Sequence, residues 1–94
     1  MKTGIELIAE ERSEQVGKHG FSYAHDDQHD RAELSIVAAE LLCVGTDARV
    51  YDMGGRRDMW GLCKKLKADR IHRLKVAGAL VVAELDRELR ILNP

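Results

Sequence analysis

Apolar residues recur every three to four positions in three stretches of the chain, which is the spacing of amphipathic helices. The first predicted helix covers residues 3 to 16, because Thr3 and Glu6 form a capping box and Gly17 and Gly20 follow it. Its predicted inward face consists of Ile5, Ile8, Ala9, Arg12, Gln15 and Val16. The two polar residues of that face need polar partners in a partly buried environment.

Two further helices are predicted from a capping residue followed by an apolar face. The second covers residues 30 to about 44, with Asp30 as its cap and Glu33 at the capping-box position. The last begins after its cap, Asp69, and runs to about residue 90. The predicted inward residues are Leu34, Val37, Ala38, Leu41 and Leu42 in the second helix, and Ile71, Leu74, Ala77, Gly78, Val81 and Leu85 in the last.

The remaining segments predict irregular connections and one short helix. Residues 17 to 30 lack a sustained period, which indicates a structured loop, and residues 45 to 57 form the longest connection. A short helix is predicted over residues 58 to 67, with apolar residues inward and an aromatic anchor: Met59, Leu62, Leu66 and Trp60. No stretch alternates with period two for long, so the predicted fold class is all-α, a small bundle of three main helices and a short one.

Size and composition point to a single helical domain over all 94 residues, 45% of them hydrophobic. Such a domain buries only about 60 to 65% of its unfolded surface, so we expect a homo-oligomer to complete the core. The small residues at 77 to 79 also indicate close approach of another helix. No run approaches the roughly 18 apolar residues of a membrane span, so we expect a cytoplasmic protein without a membrane partner. Cys43 and Cys63 lack metal-ligand spacing and are predicted to be free thiols.

Charge is distributed unevenly along a chain whose formal net charge is −1. Residues 1 to 44 carry a balance of −5, and residues 56 to 75 carry +6. This basic segment predicts either a solvated face or a site for an anion such as a nucleotide phosphate. Cations that can contact a phosphate are Arg56, Arg57, Lys64, Lys67, His72 and Arg73, and a base can stack on Tyr23 or Trp60.

Two groups of acidic residues have alternative interpretations. The run from His25 to Asp30 contains metal-binding residue types, but it equally predicts a pinned loop in which Arg12 pairs with Asp26 or Asp27. The other group comes from two helices and consists of Glu33, Glu40, Glu84 and Asp86. Facing carboxylates of this kind can place magnesium against a phosphate, whereas Glu84 with nearby Arg87 and Glu88 is also a common solvated pattern.

Several stretches together resemble small proteins of tailed phages and prophages, which are similar to the MazG-like, all-α nucleotide pyrophosphohydrolases. The stretches are Glu11-Arg12 with Gln15, residues 20 to 30 with His25-Asp26-Asp27, Glu33-Leu34 with Ala38-Ala39-Glu40, and residues 75 to 87. The resemblance covers most of the chain except residues 45 to 68. It implies a viral protein in the bacterial host cytoplasm, with a helical bundle completed by oligomerisation and a nucleotide pocket between helices.

The metal motif of that enzyme family is degraded in this chain. The family carries EExxE on one helix and ExxD on the next, whereas residues 39 to 43 read AELLC and keep only Glu40. Cations such as Arg73 and Lys75 stand where acids are expected. Fewer carboxylates weaken magnesium binding, and added cations attract phosphate itself.

The leading hypothesis from the sequence is a non-catalytic phage protein that binds a nucleotide, as a sponge for a cyclic nucleotide or related host-defence signal. Its predicted ligand-binding residues are Arg12, Tyr23, His25, Asp26, Arg56, Arg57, Lys64, Lys67 and Arg73, without a metal or cofactor. The first alternative is a pyrophosphohydrolase whose Mg²⁺ is held by Glu33, Glu40 and Glu84 with Asp26 or Asp27. The second is an inhibitor that binds a host protein through its charged faces. Nucleic-acid binding is the least favoured hypothesis.

Overall fold

The computed structural model describes residues 1–18, 23–28, 33–43, 60–66 and 68–94, and the regular structure there is entirely helical. The helices are α1 (Gly4–Gly17), α2 (Tyr23–Asp27), α3 (Glu33–Cys43), α4 (Leu62–Lys65) and α5 (Arg70–Leu92). The all-α prediction is confirmed, with α1, α3 and α5 as the main helices. α2 lies where a loop is predicted, so that prediction is wrong over Tyr23–Asp27. None of the described helices is long and apolar enough to cross a membrane.

α5 is the central helix, because α1, α2 and α3 all pack against it. Asp69 caps its start as predicted, since its side chain accepts a hydrogen bond of 2.9 Å from the backbone N–H of His72. The core lies between α5 and α3, with one residue from α4. Its buried members are Leu34, Val37, Ala38, Leu41, Cys63, Val76, Ala77, Leu80 and Ala83, with Trp60, Leu62 and Leu66 packed against them.

The orientation of α5 about its own axis differs from the prediction. Leu80 is fully buried, whereas four residues predicted to face inward are 36% to 64% exposed: Ile71, Leu74, Val81 and Leu85. Of the predicted face, only Ala77 belongs to the core. α5 carries apolar residues on more than one side, and the side that packs on α3 is the one with small alanines, because small side chains let two helix axes approach.

α1 packs on a second side of α5, through Ile8. A Cβ atom at Gly78 would lie 2.6 Å from Ile8 Cδ1, so Ile8 occupies the space that a side chain at position 78 would fill. At 100° per residue, Gly78 lies about 160° around the axis from Leu80. α1 and α3 therefore pack on different sides of α5. The small residues predicted to admit a second copy instead serve contacts within one chain, since Ala77 and Ala79 are fully buried.

α1 begins as predicted but presents a different face to the interior. Thr3 and Glu6 form the predicted capping box, and the backbone and side-chain hydrogen bonds from Thr3 lower the pKa of the Glu6 carboxyl. The buried residues of α1 are Glu11 and Gln15. The predicted inward residues that prove exposed are Ile5, Ala9 and Val16. Ile8 and Glu11 are the α1 residues that face the central helix, since Ile8 lies against Gly78 and a Glu11 carboxylate oxygen lies 4.0 Å from His72 Nε2.

The buried side of α3 agrees closely with the predicted inward face. Four of the five predicted inward residues are buried, while Leu42 is 45% exposed, so that assignment is wrong. Glu40 shares the buried side of α3 and is 7% exposed. Both cysteines are free thiols, as predicted. The predictions for the cap Asp30, for Met59 and for the connection over residues 45 to 57 lie outside the described residues.

Candidate functional site

Two adjacent carboxylates of α2 bind arginines from other helices. Arg12 Nη2 lies 2.7 Å from Asp26 Oδ2, and these side chains are 11% and 0% exposed. Arg90 Nη2 lies 2.7 Å from Asp27 Oδ1, with side chains 26% and 54% exposed. α2 is therefore attached to α1 by a buried ion pair and to α5 by an exposed one. The predicted partner of Arg12 is confirmed as Asp26.

Arg73 lies at the junction between α4 and α5 rather than on an open cationic surface. Its side chain is buried, and Nη1 donates a hydrogen bond of 3.0 Å to the backbone carbonyl of Leu66. This bond ties the end of α4 to the first turns of α5. Lys64 and Lys65, on α4, are exposed. The structure thus places two of the predicted phosphate ligands, Lys64 and Arg73, in opposite environments.

The other predicted ligand residues fall in two groups. Tyr23 and His25 belong to α2, the helix that also carries Asp26. Arg56, Arg57 and Lys67 lie outside the described residues, and their role stays a prediction.

The carboxylates of the enzyme alternative are not assembled into a metal site by the described residues. No group of three or more His, Cys, Asp or Glu side chains in that part of the chain can hold a metal ion, so Glu33, Glu40 and Glu84 do not form one. Glu84 Oε1 instead lies 3.3 Å from Arg87 Nη1, which also lies 3.5 Å from a Glu88 oxygen. The Glu84 and Arg87 side chains are only 13% and 10% exposed, so this pair is mostly buried, whereas Glu88 is 58% exposed as the solvated interpretation predicts.

Six large aliphatic side chains form an exposed row along α5, which we call the outer stripe: Ile71, Leu74, Val81, Leu85, Leu89 and Leu92. Their exposed fractions range from 36% at Leu74 to 74% at Leu92. They lie roughly 100 to 180° around the helix axis from Leu80, away from α3. Together they expose apolar surface on the order of several hundred Å², an extent that marks interaction sites on soluble proteins.

The sequence contains a signal for the outer stripe, and four of its six residues belong to the face that is predicted to lie inward. Apolar positions separated by three and four residues form a heptad pattern, in which Gly78 takes one place. The pattern does not reveal that a second apolar side of α5, with Val76, Leu80 and Ala83, packs on α3. The sequence pattern alone therefore does not tell which apolar side of α5 is exposed. That side can be assigned only once the side that packs on α3 is known.

Comparisons of the chain with protein-family models, with curated proteins and with solved structures find no match. The resemblance to MazG-like proteins accordingly stays a prediction. The geometry itself defines a small all-α protein with ion pairs between its helices and an apolar stripe on its surface.

Proposed function

We propose that this chain is a protein-binding helical module whose docking surface is the outer stripe of α5. The observation that carries the proposal is the exposure of six large aliphatic side chains along one side of the central helix. α3 packs on the opposite side of α5, whereas α1 contacts the side of the stripe through Ile8 at Gly78 and leaves the six side chains 36% to 74% exposed. An amphipathic helix is the partner that fits the stripe, because its own apolar residues recur at the same helical spacing.

Four of the five arginines of the described residues favour this function over an anion pocket. Arg12, Arg87 and Arg90 lie beside carboxylates, and Arg73 donates to a backbone carbonyl. A carboxylate next to a guanidinium offsets its charge and weakens its attraction for a phosphate. Arg12, Arg73 and Arg90 connect helices or helix ends, and Arg87 pairs within α5, so we assign the outer stripe rather than these arginines to a partner.

Photo-crosslinking in cells tests the docking surface. A photoreactive amino acid replacing Leu85 is expected to form a covalent adduct with a protein, because Leu85 is 56% exposed within the stripe. The matched control is the same amino acid at Glu14, which is exposed on α1 outside the stripe. Mass spectrometry of the purified adducts measures the yield. Equal yields at the two positions, or no adduct at either, would contradict the proposal.

A nucleotide-type anion is the second candidate ligand, and three exposed cations favour it. Lys64 and Lys65 lie on α4, and Arg70 opens α5, all within the segment of charge +6. Binding to the native state alone stabilises a protein by about 2.7 kcal/mol at a ligand concentration one hundred times Kd. The nucleotide hypothesis therefore predicts a higher melting temperature at low salt with a phosphate-bearing ligand.

A thermal-shift screen with mono-, di- and cyclic nucleotides, each with and without magnesium, measures this effect. Chromatography of the stabilising ligand after incubation separates the hypotheses. Intact ligand supports sequestration, and cleavage that depends on magnesium supports the pyrophosphohydrolase alternative. If no nucleotide raises the melting temperature, both nucleotide hypotheses are wrong.

A further inference from the structure

α1 divides the outer stripe into two parts. Ile8 lies against Gly78, in the middle of the stripe, so one partner helix cannot lie along its whole length. Beyond this contact, four exposed aliphatic side chains continue to the end of α5, and we call them the C-terminal patch: Val81, Leu85, Leu89 and Leu92. The patch covers about three turns, or about 16 Å of helix. It is long enough for a short helix of a partner.

We propose that the C-terminal patch binds a basic amphipathic helix of another protein, in which lysines or arginines flank the apolar residues. This inference rests on the proposed function, because it specifies the partner for one part of the same stripe. The patch residues are four, four and three positions apart, which is the spacing of a helix face that packs on another helix. The charge of the partner follows from the side chains beside the patch.

Acidic side chains lie on both sides of the C-terminal patch. Glu88 lies about 60° around the helix axis from Leu85 on one side, and Asp86 lies about 100° from it on the other. The Glu88 side chain is 58% exposed, and Asp86 is partly exposed. Glu84 and Glu88 share one counter-charge, because both lie within 3.5 Å of Arg87 Nη1. The surface beside the patch is therefore negative, and it attracts the cations of a partner.

The other part of the stripe has flanking charges of the opposite sign. Ile71 and Leu74 precede the contact with Ile8, and Arg70 and Lys75 lie beside them on the helix surface. This part has two large aliphatic side chains, whereas the C-terminal patch has four, so it offers less apolar surface. The larger part of the stripe is thus the one that selects a basic partner.

The same charges disfavour two other occupants of the patch. An anionic lipid surface attracts helices whose apolar face is flanked by cations, whereas acidic side chains beside the patch repel it. A second copy of this chain, docked through its own C-terminal patch, would bring acidic side chains of both copies together. Like charges across an interface disfavour binding.

Fluorescence anisotropy with two synthetic peptides tests the inference on the full chain. Both peptides carry leucines at the spacing of an amphipathic helix, and the flanking positions are lysines in one and glutamates in the other. The lysine peptide is expected to bind about tenfold more tightly at low salt, since attractive surface pairs replace repulsive ones. Added salt is expected to reduce this preference. Equal binding of the two peptides, or no binding of the lysine peptide, would overturn the inference.

Charge reversal in the chain locates the binding surface. Glu88→Lys is expected to weaken binding of the lysine peptide by about tenfold and to strengthen binding of the glutamate peptide. Loss of folding would weaken both, and circular dichroism verifies that the helices are kept. The matched control is Glu14→Lys, which makes the same change of charge at an exposed position of α1 outside the stripe. An equal effect of the two variants would show that the peptide binds elsewhere and would overturn the inference.

Sedimentation with phosphatidylserine vesicles tests the choice of a protein partner. The chain is expected to stay in solution, and its binding to the vesicles through Leu85 would overturn that choice. Leu85→Ser identifies such binding, because it removes an apolar side chain that is 56% exposed in the patch.

Failure of this inference is distinguishable from failure of the proposed function. If the peptides bind equally, or neither binds, while the photoreactive amino acid at Leu85 still forms a protein adduct, the docking surface stands and the basic partner is wrong. If neither peptide binds and no adduct forms at Leu85, both are wrong.

Discussion

Replacing Asp26 with asparagine is expected to lower the free energy of unfolding by about 3 kcal/mol, because it removes the negative charge that lies against the nearly buried Arg12 guanidinium. Asp26 is fully buried, and its Oδ2 lies 2.7 Å from Arg12 Nη2. In a chain of this size the melting temperature is expected to fall by about 15 °C, at roughly 5 °C per kcal/mol. Urea denaturation followed by circular dichroism measures the change.

The neighbouring residue provides a matched control. Asp27 forms an ion pair of the same length, 2.7 Å, with Arg90, but its side chain is 54% exposed. Asp27→Asn is therefore expected to cost less than about 1 kcal/mol, as exposed ion pairs usually do. The double variant Arg12→Met/Asp26→Asn is expected to regain part of the lost stability, because the uncompensated charge is gone. Equal losses for Asp26→Asn and Asp27→Asn would show that burial of the pair is not what stabilises the attachment of α2.

The second large effect is expected from Leu80→Ala, which should lower the free energy of unfolding by about 3 kcal/mol. Leu80 is fully buried in the core between α5 and α3, so its truncation removes buried methyl groups and leaves a cavity. This loss is expected at every protein concentration, because the contacts lie within one chain. Chemical denaturation at several protein concentrations measures it.

Leu85→Ala is the matched control, since the same substitution is made five residues later on the same helix. Leu85 is 56% exposed, so its truncation is expected to cost little within a single chain. A larger loss for Leu85→Ala than for Leu80→Ala at low concentration would mean that the orientation of α5 described above is wrong.

The sequence predicts the helices of this chain better than the faces they bury. Thr3 and Asp69 cap helices through local hydrogen bonds, which depend on only a few adjacent residues. The inward side of α3 is also predictable, because its buried residues lie on one face. α5 differs, since large aliphatic residues such as Leu80 and Leu85 lie on opposite sides of it. Which side of α5 packs inward depends on its contacts with α3 and α1, and these helices are distant from α5 in the sequence.

Some contacts of the candidate site could likewise be predicted from the sequence, and others could not. The pairing of Arg12 with either Asp26 or Asp27 could be predicted, because a basic residue on an inward face needs a nearby carboxylate, and the structure selects Asp26. The inward orientation of Arg73 could not be predicted, because Arg73 donates to the backbone carbonyl of Leu66. Every residue has a backbone carbonyl, so the type of residue at position 66 does not indicate this contact. Four of the six residues of the outer stripe are predicted to lie inward, because large aliphatic residues are usually buried. The small alanines of α5 proved to be the better indicator of its inner side.

The close contact at Gly78 has a consequence for how this chain can diverge. A side chain at position 78 and the isoleucine at position 8 compete for one volume, since even a Cβ atom would lie 2.6 Å from Ile8 Cδ1. The two positions are 70 residues apart in the chain, yet a larger residue at position 78 requires the side chain at position 8 to move or to be smaller. In relatives that keep this fold, growth at position 78 should be accompanied by shrinkage at position 8. Such covariation would be evidence, from sequences alone, that the first helix packs on the last.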